Sequence, residues 1–223
     1  MGQTLIAYLA AAVAAASHAG APPNGATAAL VARPLHGSVV LRLHPGGKAL
    51  MRIGPRGPLG GPLVLGVVGV RGRWVEVTAE ALRNGQSAWV EFGRDVAVHP
   101  IQWTLRASLS RRVLYVLQDG RVVRTIRVAI GAPGSPTPVG HFAVAEKLTG
   151  PFGAAFGPRI IVLTAQQSHL PAGWNRSVTY YVAIHAGSGR GSAVSAGCLH
   201  ATTAAMRYLM RTVPLGTAVQ ISS

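Results

Sequence analysis

Cysteine is almost absent from this chain: Cys198 is the one thiol in 223 residues. A single cysteine excludes a disulfide within the chain, and no CxxC or HxxxH spacing offers the usual start of a zinc site. No metal is therefore expected. Acids are nearly as scarce. Glu76, Glu80, Glu91, Asp95, Asp119 and Glu146 are all there are, and none follows residue 146. Lysine is represented by Lys48 and Lys147 alone, against nineteen arginines, a bias that a GC-rich genome would produce without any function. Long apolar runs are missing too. The longest, Leu5–Ala16, has twelve residues, short for a membrane-spanning helix, and no Lys or Arg precedes it.

What remains is a basic, apolar chain. The net charge is +15 and 49% of residues are hydrophobic, enough for one large folded domain or two small ones. Such a charge calls for a polyanionic neighbour, either nucleic acid or an acidic envelope polymer. The arginines form no dense run and no aromatic-interleaved module, so nucleic acid is not expected as a partner. Leu5–Ala16 has the length of a signal-peptide core, and Ser17-His18-Ala19 places small residues where a signal peptidase reads. Residues 1–19 are thus expected to be a signal peptide or an N-terminal membrane anchor, residues 20–29 a linker, and the protein exported. An exported chain with an odd cysteine points to a reactive thiol.

The remainder reads as mainly β-structure. Val64–Val70, Trp74–Val77 and Ser87–Phe92 form short apolar runs separated by Gly-rich turns, with Asn84-Gly85 a tight-turn signal before the third. Residues 30–104 read as one small β domain, and the order Gly72-Arg73-Trp74, Asn84-Gly85, Ala88-Trp89-Val90 within it resembles the bacterial SH3-like modules that precede cell-wall catalytic domains. From Ser110 the pattern sharpens. Val113–Leu117 predicts a strand, Gln118–Arg121 a hairpin turn and Val122–Ile130 the return strand. Gly131–Gly140 is too rich in Pro and Gly for helix and reads as a rigid bend into a strand at Phe142–Ala145. Ile160–Leu163, Thr179–Ile184 and Ala218–Ile221 complete the strands. Met206, Leu209, Met210 and Val213 give one late amphipathic helix over Thr203–Thr212.

The chemistry concentrates in residues 184–200, IHAGSGRGSAVSAGCLH. His185 ends a strand and Cys198 follows thirteen residues later. A cysteine attacks only as thiolate, which needs a cation or a general base nearby. The Gly- and Ser-rich loop between the two allows it to fold back and bring them together. Gly197 permits a bend in which the amides of Gly197 and Cys198 point outward as an oxyanion hole. The helix starting near Thr203 would turn its positive end to the thiol and favour thiolate. With no carboxylate after Glu146, a third group orienting His185 is expected to be a backbone carbonyl. His200 is a rival base. The opposing reading makes Cys198 a small buried hydrophobe and His185 a core histidine.

Ile184-His185-Ala186, Ser195-Ala196-Gly197-Cys198-Leu199, the bend Pro136-Thr137-Pro138-Val139-Gly140-His141-Phe142 and the close at Val213–Val219 together resemble the catalytic domain of L,D-transpeptidases. The resemblance covers residues 105–222. It implies a β-rich catalytic domain with Cys198 as nucleophile and His185 as base. It also implies peptidoglycan stem peptides as substrates, a thioester intermediate, a 3→3 cross-link and no cofactor. Ser195, Ala196, His200 and Ala186 are expected to border the substrate pocket. Three positions depart from the family pattern: Ala196 replaces the usual His, His200 stands where Arg or Asn is common, and Ala186-Gly187 replaces Gly-Thr or Gly-Ser. They leave open a catalytically impaired wall-binding protein. A sortase wants T-L-x-T-C and a late catalytic Arg, and papain-like peptidases place Cys before His. Neither order is present.

Overall fold

The computed structural model describes residues 29–177 and 179–223. The expected signal peptide, and the linker up to residue 28, lie outside the described residues. Seven strands come first: β1 (Ala29–Pro34), β2 (Val39–Arg42), β3 (Ala49–Ile53), β4 (Leu65–Arg71), β5 (Trp74–Thr78), β6 (Ala88–Glu91) and β7 (Val96–Ile101). They pair antiparallel throughout, in the order β3-β2-β6-β5-β4-β1-β7. Period-two burial explains the pairing: Val75 and Val77 of β5 and Ala88 and Val90 of β6 point inward. They join Val39, Leu41, Leu65 and Leu82 in one core. Asn84-Gly85 does not make a two-residue hairpin. Residues 79–87 connect β5 to β6, and Asn84 instead exchanges two hydrogen bonds with the backbone of Gln166, at 2.7 and 2.8 Å.

Only Gln102 separates β7 from the second sheet. Its strands are β8 (Trp103–Ser108), β9 (Val113–Gln118), β10 (Arg121–Arg127), β11 (Ile130–Gly131), β12 (Gly140–Thr149), β13 (Arg159–Gln166), β14 (Tyr181–Ala186), β15 (Ala193–Ser195) and β16 (Leu199–Ala201). The helix α1 (Thr203–Thr212) and β17 (Ala218–Ser222) follow. Eight of these strands form a sheet in the order β10-β9-β8-β17-β12-β13-β14-β16, and β11 pairs with β15 separately. The fold is mainly β, with one helix among the described residues. A domain boundary at residue 104 would fall inside β8.

The expected return strand Val122–Ile130 is interrupted. Its register shifts between Val122 and Arg124, and the ladder with β9 ends at Arg127. The chain then leaves the sheet edge so that Ala129 can exchange two backbone hydrogen bonds with His200, at 2.9 and 3.1 Å. Helix α1 occupies the expected span. Thr202 Oγ1 accepts from the Ala205 N–H at 3.0 Å as N-cap, and Pro214 follows the C-cap, Val213. Met206, Leu209 and Val213 pack with Ile161, Leu163 and Ile184 in the second core.

The two sheets abut closely. Glu146 of β12 is 1% exposed and its carboxylate accepts the N–H of Leu59 at 2.8 Å and of Gly61 at 2.6 Å. The side-chain amide of Gln166 donates to the carbonyls of Glu80 and Leu82 at 2.7 and 3.0 Å. At Gly66 a Cβ would lie 2.4 Å from that of Ala143, so the backbones meet without an intervening side chain.

Candidate active site

Cys198 immediately precedes β16, which pairs in parallel with β14: Ile184 lies opposite Leu199, and His185 opposite His200. Ile184 and Leu199 are fully buried in the core. Strand alternation therefore turns His185, His200 and Cys198 to the other face. The imidazoles of His185 and His200 are 4.6 Å apart, centre to centre. The N–H of Ala183, two residues before His185, donates to Cys198 Sγ at 3.4 Å. The thiol thus lies against the strand that carries His185. Phe156, from the connection between β12 and β13, places its ring 4.8 Å from the His185 ring and covers it.

His185 Nδ1 lies 2.9 Å from the Ala186 carbonyl. A carbonyl only accepts, so Nδ1 carries the proton and Nε2 keeps its lone pair in the neutral ring. This is the backbone partner expected from the lack of nearby acids. Burial pushes the His185 pKa below the ordinary imidazole value, the bond to Ala186 opposes this, and the charge of His200 adds to it. Cys198 is half-buried as a residue, but its sulfur is largely desolvated. That raises the thiol pKa, against the smaller opposing effect of the Ala183 N–H. Both shifts favour the neutral forms, thiol and imidazole, over the thiolate expected from the sequence. The first turn of helix α1 borders a cavity lined by arginines.

The turn bearing Cys198 is held on every side. Ser195 Oγ donates to the Cys198 carbonyl at 2.6 Å and accepts the Gly197 N–H at 3.1 Å. Thr137 Oγ1 accepts from the Gly131 N–H and donates to the Gly197 carbonyl, both at 2.8 Å. Gln167 Nε2 donates to the carbonyls of Ala196 at 2.8 Å, Pro136 at 3.1 Å and Ser135 at 3.2 Å. Gly197 has φ +115°, and a Cβ there would come within 2.1 Å of Gln167 Nε2, so the close approach requires glycine.

These contacts revise the expected roles. Ser195 is buried and braces the turn instead of bordering a pocket. The Gly197 N–H is taken by Ser195 Oγ. Of the expected oxyanion pair, only the Cys198 N–H is without a partner among the described residues. Ala196 contributes its carbonyl to Gln167, and Ala186 contributes its carbonyl to His185. The Nδ1 of His200 lies 3.1 Å from the Ser188 carbonyl, so the ring is anchored beside His185. Gln167 and Thr137 were not singled out as site residues. Thr137 lies in the bend read as architectural, and nothing in the sequence marks Gln167. Among the described residues no three His, Cys, Asp or Glu side chains group as metal ligands.

No curated protein matches the chain. Among solved structures it is similar to an L,D-transpeptidase from Mycobacterium smegmatis, at 15% identity over 71% of this chain and 93% of that one, with a TM-score of 0.43. One from Mycobacterium tuberculosis H37Rv gives 17% identity over the same shares, also at 0.43. Residues 123–326 of the L,D-transpeptidase from Xylanimonas cellulosilytica give 25% over 54% and 60%, at 0.39. Residues 102–221 match the YkuD family, described as the L,D-transpeptidase catalytic domain. That match spans more than half of the 223 residues, and the chain belongs to the YkuD family of L,D-transpeptidase catalytic domains.

Proposed function

We propose that the chain cross-links peptidoglycan stem peptides through an acyl-enzyme on Cys198. The observation that carries this reading is the fixed tautomer of His185. Ala186 holds the proton on Nδ1, which leaves Nε2 as a base on the strand against which the chain's one thiol lies. As Sγ attacks the carbonyl before the terminal D-Ala of a stem tetrapeptide, Nε2 takes the thiol proton. The new C–S bond forms and the oxyanion falls to the Cys198 N–H. Collapse breaks the C–N bond, His185 returns the proton to the leaving amine and D-Ala departs. The side-chain amine of another stem's third residue then attacks the thioester. His185 accepts its proton, the C–S bond breaks, the thiol is re-formed and a 3→3 cross-link results. No cofactor enters any step.

A neutral thiol–imidazole pair suits this route, because the proton moves only when substrate has displaced water from the sulfur. The first sheet is a wall-binding module in this reading. The N-terminal apolar run exports the protein to the envelope, where the arginine excess retains it on an anionic wall. A second reading is wall binding without turnover. It draws on the raised thiol pKa and the engaged Gly197 amide. Intact-mass measurement after incubation with a disaccharide tetrapeptide decides between them. The proposed enzyme gains the mass of the substrate less that of D-Ala, whereas Cys198→Ala gains nothing. A wild-type mass unchanged after long incubation would leave only the binding reading.

A further inference from the structure

An open cavity of about 570 Å³ lies between β10 and the start of α1, bordered by Arg124, Arg127, Gly189, Arg190, Thr202 and Ala205. Three guanidinium groups surround it, and each is held by something other than an acid. The Arg124 guanidinium lies 4.3 Å from the centre of the Tyr208 ring. Arg127 lies over Gly191, where a Cβ would come within 2.4 Å of its Nε. Gly191, at φ +85°, thus leaves room for the guanidinium as well as the turn. Arg190 donates to the Gly187 carbonyl at 2.5 Å.

No carboxylate neutralises the three. Both ion pairs among the described residues involve Glu91, in the first sheet. The only acid after Asp119 is Glu146, which is buried against Leu59 and Gly61. Like charges gathered around one cavity repel, and an anion entering it relieves that repulsion. Arginine's planar fork matches phosphate oxygens in pairs. The first turn of α1, on the same cavity, adds charge of the same sign.

We propose that this cavity is a docking site for a phosphodiester-linked polyol chain, an anionic polymer of the envelope, and that it is distinct from the Cys198 centre. None of the residues bordering it belongs to the turn that holds Cys198 or to the covering of His185. Loop 187–192 connects the two regions, with Ser188 anchoring His200 on one side and Arg190 facing the cavity on the other. The volume exceeds the needs of one phosphate, which favours a chain over a free ion. The inference rests on the envelope location of the proposed function, and it stands whether or not Cys198 turns over substrate.

Titration calorimetry on the full chain tests it, with a short oligo(glycerol phosphate) as probe and inorganic phosphate as a separate arm. The Arg124→Gln, Arg127→Gln, Arg190→Gln triple variant is expected to lower oligomer affinity at least tenfold. A control triple, Arg106→Gln, Arg111→Gln, Arg176→Gln, removes equal charge outside both the cavity and the first sheet and is expected to change affinity less than threefold. All six side chains are exposed, and an unchanged thermal midpoint verifies that both variants are folded. Inorganic phosphate is expected to bind at least tenfold more weakly than the oligomer. Equal losses in both triples would reduce the effect to net charge and overturn the proposal. So would tight binding of free phosphate alone, or equally tight cavity-dependent binding of single-stranded DNA of the same charge. A parallel fall in disaccharide-tetrapeptide affinity in the cavity triple would make the site a stem-carboxylate subsite, which also overturns it.

Discussion

The side-chain amide of Gln167 donates to the Ala196 carbonyl at 2.8 Å, two residues ahead of the only thiol in the chain. The same amide reaches the carbonyls of Ser135 and Pro136, which ties the proline-rich bend to the Cys198 turn. Its neighbour Gln166 is bonded to Asn84, Glu80 and Leu82 of the first sheet. The first sheet therefore braces the end of the strand from which the nucleophile's turn is gripped.

Gln167→Leu keeps the volume and removes the donors. Leaving buried carbonyls unpaired is expected to cost about 1–3 kcal/mol of stability. A turn displaced by a fraction of an ångström is expected to lower kcat about 10–100-fold with KM little changed. Steady-state kinetics and thiol alkylation, both well below the melting temperature, separate misplacement from unfolding. A drop in KM affinity with kcat intact would place Gln167 in substrate binding instead.

The electrostatics of the pair set a pH signature. The Cys198 pKa is raised, so alkylation by iodoacetamide is expected to rise with pH through a midpoint above that of an ordinary free cysteine. The His185 pKa is lowered, so the imidazole stays neutral, and able to act as base, below the usual imidazole range. The acid limb of kcat/KM is expected there. His200 is one of the causes that lower His185, so His200→Gln is expected to move that limb to higher pH while preserving turnover. His185→Gln is expected to reduce kcat by about 10²–10⁴-fold. If His200→Gln abolished turnover and His185→Gln spared it, the two roles would exchange.

Much of this centre was legible in the sequence because it is local. The apolar run Thr179–Ile184 placed His185 at a strand end, the Gly-rich loop allowed the return to Cys198, and the absence of later acids directed His185 to a carbonyl. What sequence could not give was contact across long separations. Gln167 reaches Ser135, and Thr137 reaches Gly197 sixty residues away, through side chains with no periodic or compositional mark. Asn84-Gly85 misled for the same reason: its turn chemistry was sound, but Asn84 found partners in the other sheet. Desolvation of the thiol was likewise out of reach, because it is a property of the packed site and not of neighbouring residues in the chain.

Glu146 tests how firmly the two sheets are joined. Its carboxylate satisfies two amides of the 57–61 loop while itself 1% exposed. Glu146→Ala leaves both N–H groups without that acceptor and is expected to cost about 1–3 kcal/mol. Hydrogen exchange at Leu59 and Gly61 should quicken well before that of the β12 core. Protection unchanged at those two amides would show that the loop is held by other contacts.

Glu80, 5% exposed, gives a pH dependence of the opposite sense to ordinary acid denaturation. Burial raises its pKa, its own backbone N–H opposes this, and the charge of Glu146 adds to it. A carboxyl whose folded pKa lies above its unfolded value binds its proton more tightly in the native state. Its stabilising contribution is complete below the unfolded pKa, about 4.3 for glutamate, and is lost as pH rises through the folded value. Glu80→Gln is neutral at every pH and removes this loss. The variant is therefore expected to match the wild type near pH 4 and to melt at least about 2 °C higher at pH 7. Because other acids shift both proteins alike, the difference in melting temperature isolates Glu80. A difference that stayed flat from pH 4 to 7, or that favoured the wild type at pH 7, would mean that the ionised carboxylate is stabilised where it lies and that desolvation does not govern this part of the interface.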